Sequence, residues 1–241
     1  MTAAALVLHG GVVFDGTDVV PGATAVGVRD GRVVAVGSDA DVRRSVGAGA
    51  DALDLRGRLV LPGFTDAHVH PVMAGVERLS CDLTGATDAR ETLARVRAYA
   101  DANPGTDWLQ GGGWLKEHFE RGLPTAAELD SAVPDRPVVL RDSSHHAMWV
   151  NTAALQRVGL PADHPATLHE DEMDVVSAGL PPTSAAEQLA GLREAQTYLH
   201  SLGVTGWQDA ILGDYAGHRD ATGAYLALAA VGALTARVVG A

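Results

Sequence analysis

Two histidines one residue apart close an apolar stretch: Leu59–Phe64 runs into Asp66-Ala67-His68-Val69-His70. In an extended strand, residues i and i+2 face the same side. His68 and His70 are therefore expected to point together from the strand's C-terminal end, where barrel enzymes place their catalytic groups. Two neutral imidazoles at this spacing can share one divalent metal ion such as zinc. The same pattern also describes a pair of surface histidines at a strand end. The only cysteine, Cys81, excludes an internal disulfide and a cysteine-based zinc site, so with ten histidines in the chain a metal would take nitrogen and oxygen ligands. Cys81 has no basic or histidine neighbour in sequence that would argue for a reactive thiolate.

The elements that must position these residues change character along the chain. Leu6–Leu8, Gly11–Phe14, Ala25–Val28 and Arg32–Val36 are β-branched runs separated by turn signals, with Asp30-Gly31 the clearest hairpin turn. They predict an antiparallel sheet with no chemistry of its own. From Leu59 onward, strands alternate with helices. Asp88 with Glu91, Thr125 with Glu128, and Ser184 with Glu187 mark helix starts, and Asn151 can cap a helix that Gly159 closes. Strands are expected at Trp108–Gly111, Pro137–Arg141 and Val204–Trp207, then at Thr235–Val239 after a helix around Tyr225–Val231. The helix opened by Ser184 should turn Leu189, Leu192, Leu199 and Leu202 to one face. Pro161–Pro182 reads as an irregular acidic loop. Repeated βα units imply a parallel sheet with right-handed crossovers. Asp209, at the end of the fourth strand, either faces the pocket or caps the next helix.

Composition narrows the classes. Eighteen basic against thirty acidic residues give a formal charge of −12, which argues against a nucleic-acid partner, since phosphate binding needs clustered positive charge. With 46% hydrophobic and 20% charged residues the chain reads as globular rather than disordered. It has neither an apolar run near the roughly 18 residues of a membrane helix nor a basic leader, so a cytoplasmic protein away from the membrane is the expectation.

Longer motifs add a resemblance. Leu61-Pro62-Gly63-Phe64-Thr65-Asp66-Ala67-His68-Val69-His70, behind a β-rich start, is similar to the amidohydrolase superfamily. Gly112-Gly113-Trp114, Pro124–Asp130, Pro134–Arg141, Ser144-His145-His146 with Trp149-Val150-Asn151, and Leu202–Thr205 resemble its YtcJ-like branch, amidohydrolase family 3, which includes N-substituted formamide deformylases. The resemblance implies one or two divalent metal ions, zinc first, bound by His68 and His70, with Glu170 as a further carboxylate ligand. It places Asp66 behind the metal ligands or at the strand end binding backbone amides. It places Trp114 at the pocket mouth and His146 near the substrate, the latter alternatively a packed helix-entry histidine. His9, His118, His164, His200 and His218 read as surface or packing residues.

The implied fold is α/β: part of a small β-sandwich over residues 1–58, then a partial (β/α)8 TIM barrel of about four βα units over 59–241. The stretch from Leu59 onward falls well short of the about 250 residues of a full barrel. The chain is thus expected to be the N-terminal part of a larger enzyme or one piece of a split one. Its general base would lie beyond residue 241, with a complementary C-terminal chain or a homo-oligomer as partner. The implied reaction is hydrolysis of a non-peptide C–N bond in a small amide, formamide or cyclic amide by a metal-activated water. A non-catalytic remnant or binding module of the same fold is the alternative.

Overall fold

The computed structural model describes residues 5–214 and 219–241. His218 lies outside the described residues. The chain divides into two compact units, Met1–Phe64 and Thr65–Ala241.

In the first unit, β1 (Ala5–His9), β3 (Ala25–Arg29), β4 (Arg32–Gly37) and β5 (Asp51–Asp54) form a sheet of order β4-β3-β1-β5. Asp30 and Gly31 both adopt positive φ, 50° and 73°, as the tight β3–β4 hairpin requires. The sheet is not wholly antiparallel, as the runs suggested. The chain leaves β4 through helix α1 (Asp39–Val46) and returns as β5, parallel to β1. Strand β2 (Val12–Val13) stands apart and pairs in parallel with β6 (Leu59–Val60). Val42 and Val46 of α1 pack on Val7 and Ala25, which fixes the helix on the sheet.

The second unit alternates strands and helices: β7 (Phe64–Val69), α2 (Pro71–Leu79), β8 (Cys81–Asp82), α3 (Ala89–Ala102), β9 (Leu109–Trp114), α4 (Ala126–Ala132) and β10 (Val138–Asp142). Strands β8, β9 and β10 are parallel neighbours. The Thr125/Glu128 capping box is present, whereas Glu91 bonds to Thr87 and leaves Asp88 alone to cap α3.

The segment Pro161–Pro182 is not the irregular loop its composition suggested. After β11 (Ala147–Val150) and α5 (Thr152–Arg157), it forms β12 (Thr167–His169) and α6 (Asp171–Gly179). Strands β11 and β12 extend the sheet antiparallel, giving the order β12-β11-β10-β9-β8. Leu168 and Val176 are fully buried in the same cluster as Met148 and Leu155, so a few apolar positions override the acidic background. Asn151 caps α5. Its Oδ1 accepts from Ala154 N and Val138 N, and its Nδ2 donates to the carbonyls of Val133 and Arg136.

Helix α7 (Ala185–Ser201) opens on the Ser184/Glu187 capping box and leads into β13 (Val204–Asp209), α8 (Thr222–Ala230) and β14 (Arg237–Gly240). Strand β13 lies between β14 and β7. Leu192 and Leu199 are buried, but the helix ends at Ser201 and Leu202 faces solvent. No helix among the described residues is long and apolar enough to cross a membrane.

Helices α2 and α7 cross where Gly75 meets Gly191. A Cβ on Gly75 would overlap the Gly191 carbonyl, and one on Gly191 would lie 2.8 Å from Val76 N and 2.9 Å from Val72 O. Backbone cannot yield as a flexible side chain can. Gly191→Ala is therefore expected to destabilise the protein by about 1–3 kcal/mol or more, read as a lowered midpoint in thermal or urea unfolding. Ala substitution at open Gly223, inside α8, should instead be neutral or stabilising, because a Cβ there meets no atom within 4 Å.

Candidate active site

His68 and His70 leave the end of β7 with ring centroids 5.2 Å apart, edge to face. Asp66 Oδ1 accepts from His68 N at 3.0 Å, so its carboxylate braces the strand end. His70 stands just before α2. Its carbonyl accepts from Ala74 N, and Pro71 opens the helix, a position where the missing N–H costs nothing. His70 Nδ1 is buried and has no hydrogen-bond partner. A buried imidazole nitrogen without a partner is uncommon and marks a place for a ligand. The donor set of two imidazoles fits a divalent ion as two of its ligands. Among the described residues, no three His, Cys, Asp or Glu side chains come together as a metal-holding group.

His70 also lines a cavity of about 170 Å³, together with Glu77, Gln110, Arg141, His145 and Asp209. Glu77 projects from α2 seven residues after His70, two turns further along one helix face. Burial pushes its carboxyl above the ordinary value, an effect that His145, with Nε2 3.6 Å away, and Arg141 partly offset. Gly112 makes room for it, since a Cβ there would lie 2.7–2.9 Å from the carboxylate atoms. Burial pulls the Arg141 guanidinium down, opposed by the charge of Glu77.

The turn that carries His145 is organised by Asp142, whose residue is 1% exposed. Its carboxylate accepts from Ser144 Oγ (2.6 Å) and Ala147 N (2.9 Å), with Lys116 Nζ at 3.3 Å. Burial alone would raise this carboxyl, but those partners hold it below its usual value. His145 completes the turn at φ 62°. Asp209 is likewise buried and fully engaged: Tyr225 Oη donates to Oδ2 (2.7 Å) and Ile211 N to Oδ1 (3.2 Å). Tyr225 in turn accepts from Trp207 Nε1 at 3.3 Å. Burial, and then the Asp209 bond, push the Tyr225 hydroxyl far above its ordinary value.

Other expected site residues lie elsewhere. Trp114 is fully buried, stacked edge to face with Phe119 and Trp149, and donates to the Leu140 carbonyl. It is a core residue rather than a pocket mouth, because β9 bulges at Gly113 (φ 90°), where the pairing with β10 skips one residue and turns Trp114 away from the cavity face of Gln110 and Gly112. Glu170 precedes α6 with φ 44° and sits 3.3 Å from His146 Nδ1, both side chains largely exposed. His145, not His146, stands on the cavity wall. Burial pushes the Cys81 thiol up to about 12, in keeping with an inert core residue. His200 packs by bonding the Val204 carbonyl and Thr235. Sequence reading missed Glu77, Gln110, Arg141 and His145. The available signals were the i, i+3, i+7 spacing of His70, Met73 and Glu77, and the alternation that turns Arg141 away from buried Leu140.

The model of the amidohydrolase family matches residues 51–241. The chain belongs to this family. Within it, the chain falls in the YtcJ-like branch. It is 33% identical to YtcJ of Bacillus subtilis over 159 residues, covering 65% of this chain and 30% of that protein. It is also 33% identical to the N-substituted formamide deformylase of Arthrobacter pascens over 180 residues, covering 73% of this chain and 33% of that protein. The crystal structure of a metal-dependent hydrolase from Pyrococcus furiosus, otherwise uncharacterised, shares the fold. Its TM-score is 0.69 at 23% identity, over 98% of this chain and 50% of that one. This amidohydrolase chain spans about a third of the length of the curated relatives it matches.

The buried carboxylates can be tested by substitution. Tyr225→Phe removes a donor to Asp209 and the acceptor of Trp207, and should cost about 1–3 kcal/mol in urea unfolding. Asp142→Asn should cost a similar amount near neutral pH. Because the folded-state value of Asp142 is depressed, its contribution is full above the ordinary 3.8 and is lost as pH falls through the folded value. The wild-type advantage over Asp142→Asn should therefore narrow in acid unfolding curves, and a gap independent of pH would contradict the assignment.

Proposed function

We propose that the protein is the N-terminal portion of a metal-dependent hydrolase that cleaves a non-peptide C–N bond in a small amide, formamide or cyclic amide. The observation that carries this reading is the His68/His70 pair at the end of β7, with the unpartnered Nδ1 of His70 beside a cavity, in a chain of the amidohydrolase family. Two imidazole ligands favour zinc among common divalent ions, and the site takes one or two. When bound, such an ion supplies Lewis acidity toward a carbonyl oxygen and toward water.

The residues of this chain have separate tasks in that scheme. His68 and His70 bind the ion, and Asp66 holds the backbone at His68. Asp209, fixed by Tyr225, offers a carboxylate at the end of β13, the strand next to β7. Glu170 is the carboxylate that the family pattern assigns as a further ligand, and taking that part requires it to leave His146. Leaving out the antiparallel β11 and β12, strands β7, β8, β9, β10, β13 and β14 would supply six of the eight strands of a (β/α)8 barrel. The short coverage of its relatives and the open edge at β14 support a complementary segment that supplies the general base and the remaining ligands. The charge of −12 favours an enzyme of small molecules over one acting on nucleic acid.

The test is metal content by mass spectrometry and turnover on an amide and formamide panel, in the protein carrying this chain with its remaining strands. The double variant His68→Ala/His70→Ala is expected to lose the metal and, with it, turnover. Unchanged metal and rate in that variant would refute the assignment.

A further inference from the structure

We propose that the cavity beside His70 binds the carboxylate of a small organic substrate, with Arg141 as the recognising residue. This rests on the hydrolase reading and sharpens it: the amide to be cleaved also carries a carboxylate. Arg141 comes from β10, is largely buried, and lines the cavity. Among the described residues nothing accepts a hydrogen bond from its guanidinium, and Glu77 acts on it through space without forming an ion pair. A guanidinium carries five N–H donors in a planar fork that matches a carboxylate. A guanidinium fork without a protein partner, set in a cavity wall, is a place for an anion.

The surroundings select the kind of anion. Glu77 and Asp209 line the same cavity, as does the exposed Arg219, and the two carboxylates would repel a dianion such as phosphate more than a monoanion. Val72, Val76 and Ile211 also line it and suit an apolar body attached to the carboxylate. Gln110 and His145 add N–H donors to the wall. The volume, about 170 Å³, is below the roughly 300–1,000 Å³ of sites for drug-sized ligands, so the ligand is small.

The experiment is an NMR titration of the protein carrying this chain with its remaining strands, using propionate, the uncharged propionamide and inorganic phosphate. Saturable shifts at the cavity are expected with propionate in preference to the other two. Arg141→Met should weaken propionate binding by at least about tenfold, and Arg141→Lys should restore part of it. Glu77→Gln removes the competing carboxylate and keeps the guanidinium, so it should tighten propionate binding. A purely structural role for Arg141 gives no such tightening. Should Arg141→Met fail to fold, Glu77→Gln decides: weaker or unchanged binding overturns the proposal. Equal binding of propionamide, a preference for phosphate, or an unaffected Arg141→Met overturns it too. Metal content read on the same samples separates the two readings, since metal loss with retained propionate binding counts only against the hydrolase.

Discussion

The backbone approach of α2 to α7 at Gly75 and Gly191 sets the position of nearly everything in the cavity. Helix α2 begins after His70 and carries Glu77, while α7 feeds β13, which ends in Asp209. Helices usually pack 8–10 Å apart, with the distance set by the side chains between them. Two facing glycines remove those side chains, and each costs about 1 kcal/mol of helix propensity relative to Ala. That cost is offset only where close packing is worth more. Here it brings Val72 and Leu192 into one cluster with Trp207 and Leu228, beneath the strand ends that bear the polar groups. Adding a methyl at either glycine would push α2 outward and move His70 and Glu77 with it.

Hydrogen bonding, rather than burial, separates the two carboxylates around Arg141. Asp142 and Glu77 are both largely removed from water, yet one is held below its ordinary value and the other above it. Asp142 has a hydroxyl, a backbone N–H and an ammonium within reach, while Glu77 has only charges acting at a distance. This is the difference between desolvation repaid and desolvation left standing. The protein has therefore placed its hydrogen bonds on the turn that shapes the cavity and left Glu77 and Arg141 in it without bonded partners. Gly112, which vacates the space Glu77 occupies, shows that the strand is built around this carboxylate.

The range over which each signal acts decides what sequence alone disclosed. The His68/His70 pair, the Asp30-Gly31 hairpin and the boxes at Thr125 and Ser184 depend on neighbours within four residues, and all were legible. Strand β12 and helix α6 were hidden because their acidic run resembles a solvated loop, and only long-range burial of Leu168 and Val176 against β11 and α5 makes them elements. The two-residue strand β8 carries too few residues for any periodicity. Trp114 was misplaced for a related reason. Three glycines and an aromatic suggest a mouth, but the bulge at Gly113 breaks the alternation along β9 and sends the indole into the core. Glu77 and Arg141 could have been reached from helical and strand spacing. Nothing local distinguishes them from ordinary surface charges, since their meaning comes from sharing one cavity.

His70 joins the two parts of the site. Period-two spacing alone would set its ring alongside that of His68, but its backbone has already left extended geometry, with φ −118° and ψ 73° as the chain turns into α2. The rings consequently meet at 78°, and His70 faces the cavity while His68 is not among its lining residues. The pair that would hold a metal ion therefore straddles the cavity's edge, with His70 on its wall and His68 outside it. Arg141, on the wall formed by β10, is then placed to hold a substrate by an end other than the one that reacts. On the proposed reading, that division would let binding energy from a remote carboxylate position the scissile amide, as fixed contacts away from the reacting atoms do when they lower a barrier. It also fits a cavity that sets the Arg141 guanidinium beside Val72, Val76 and Ile211: on the proposed reading the cation would orient the substrate, and these apolar side chains would keep away water that weakens its grip.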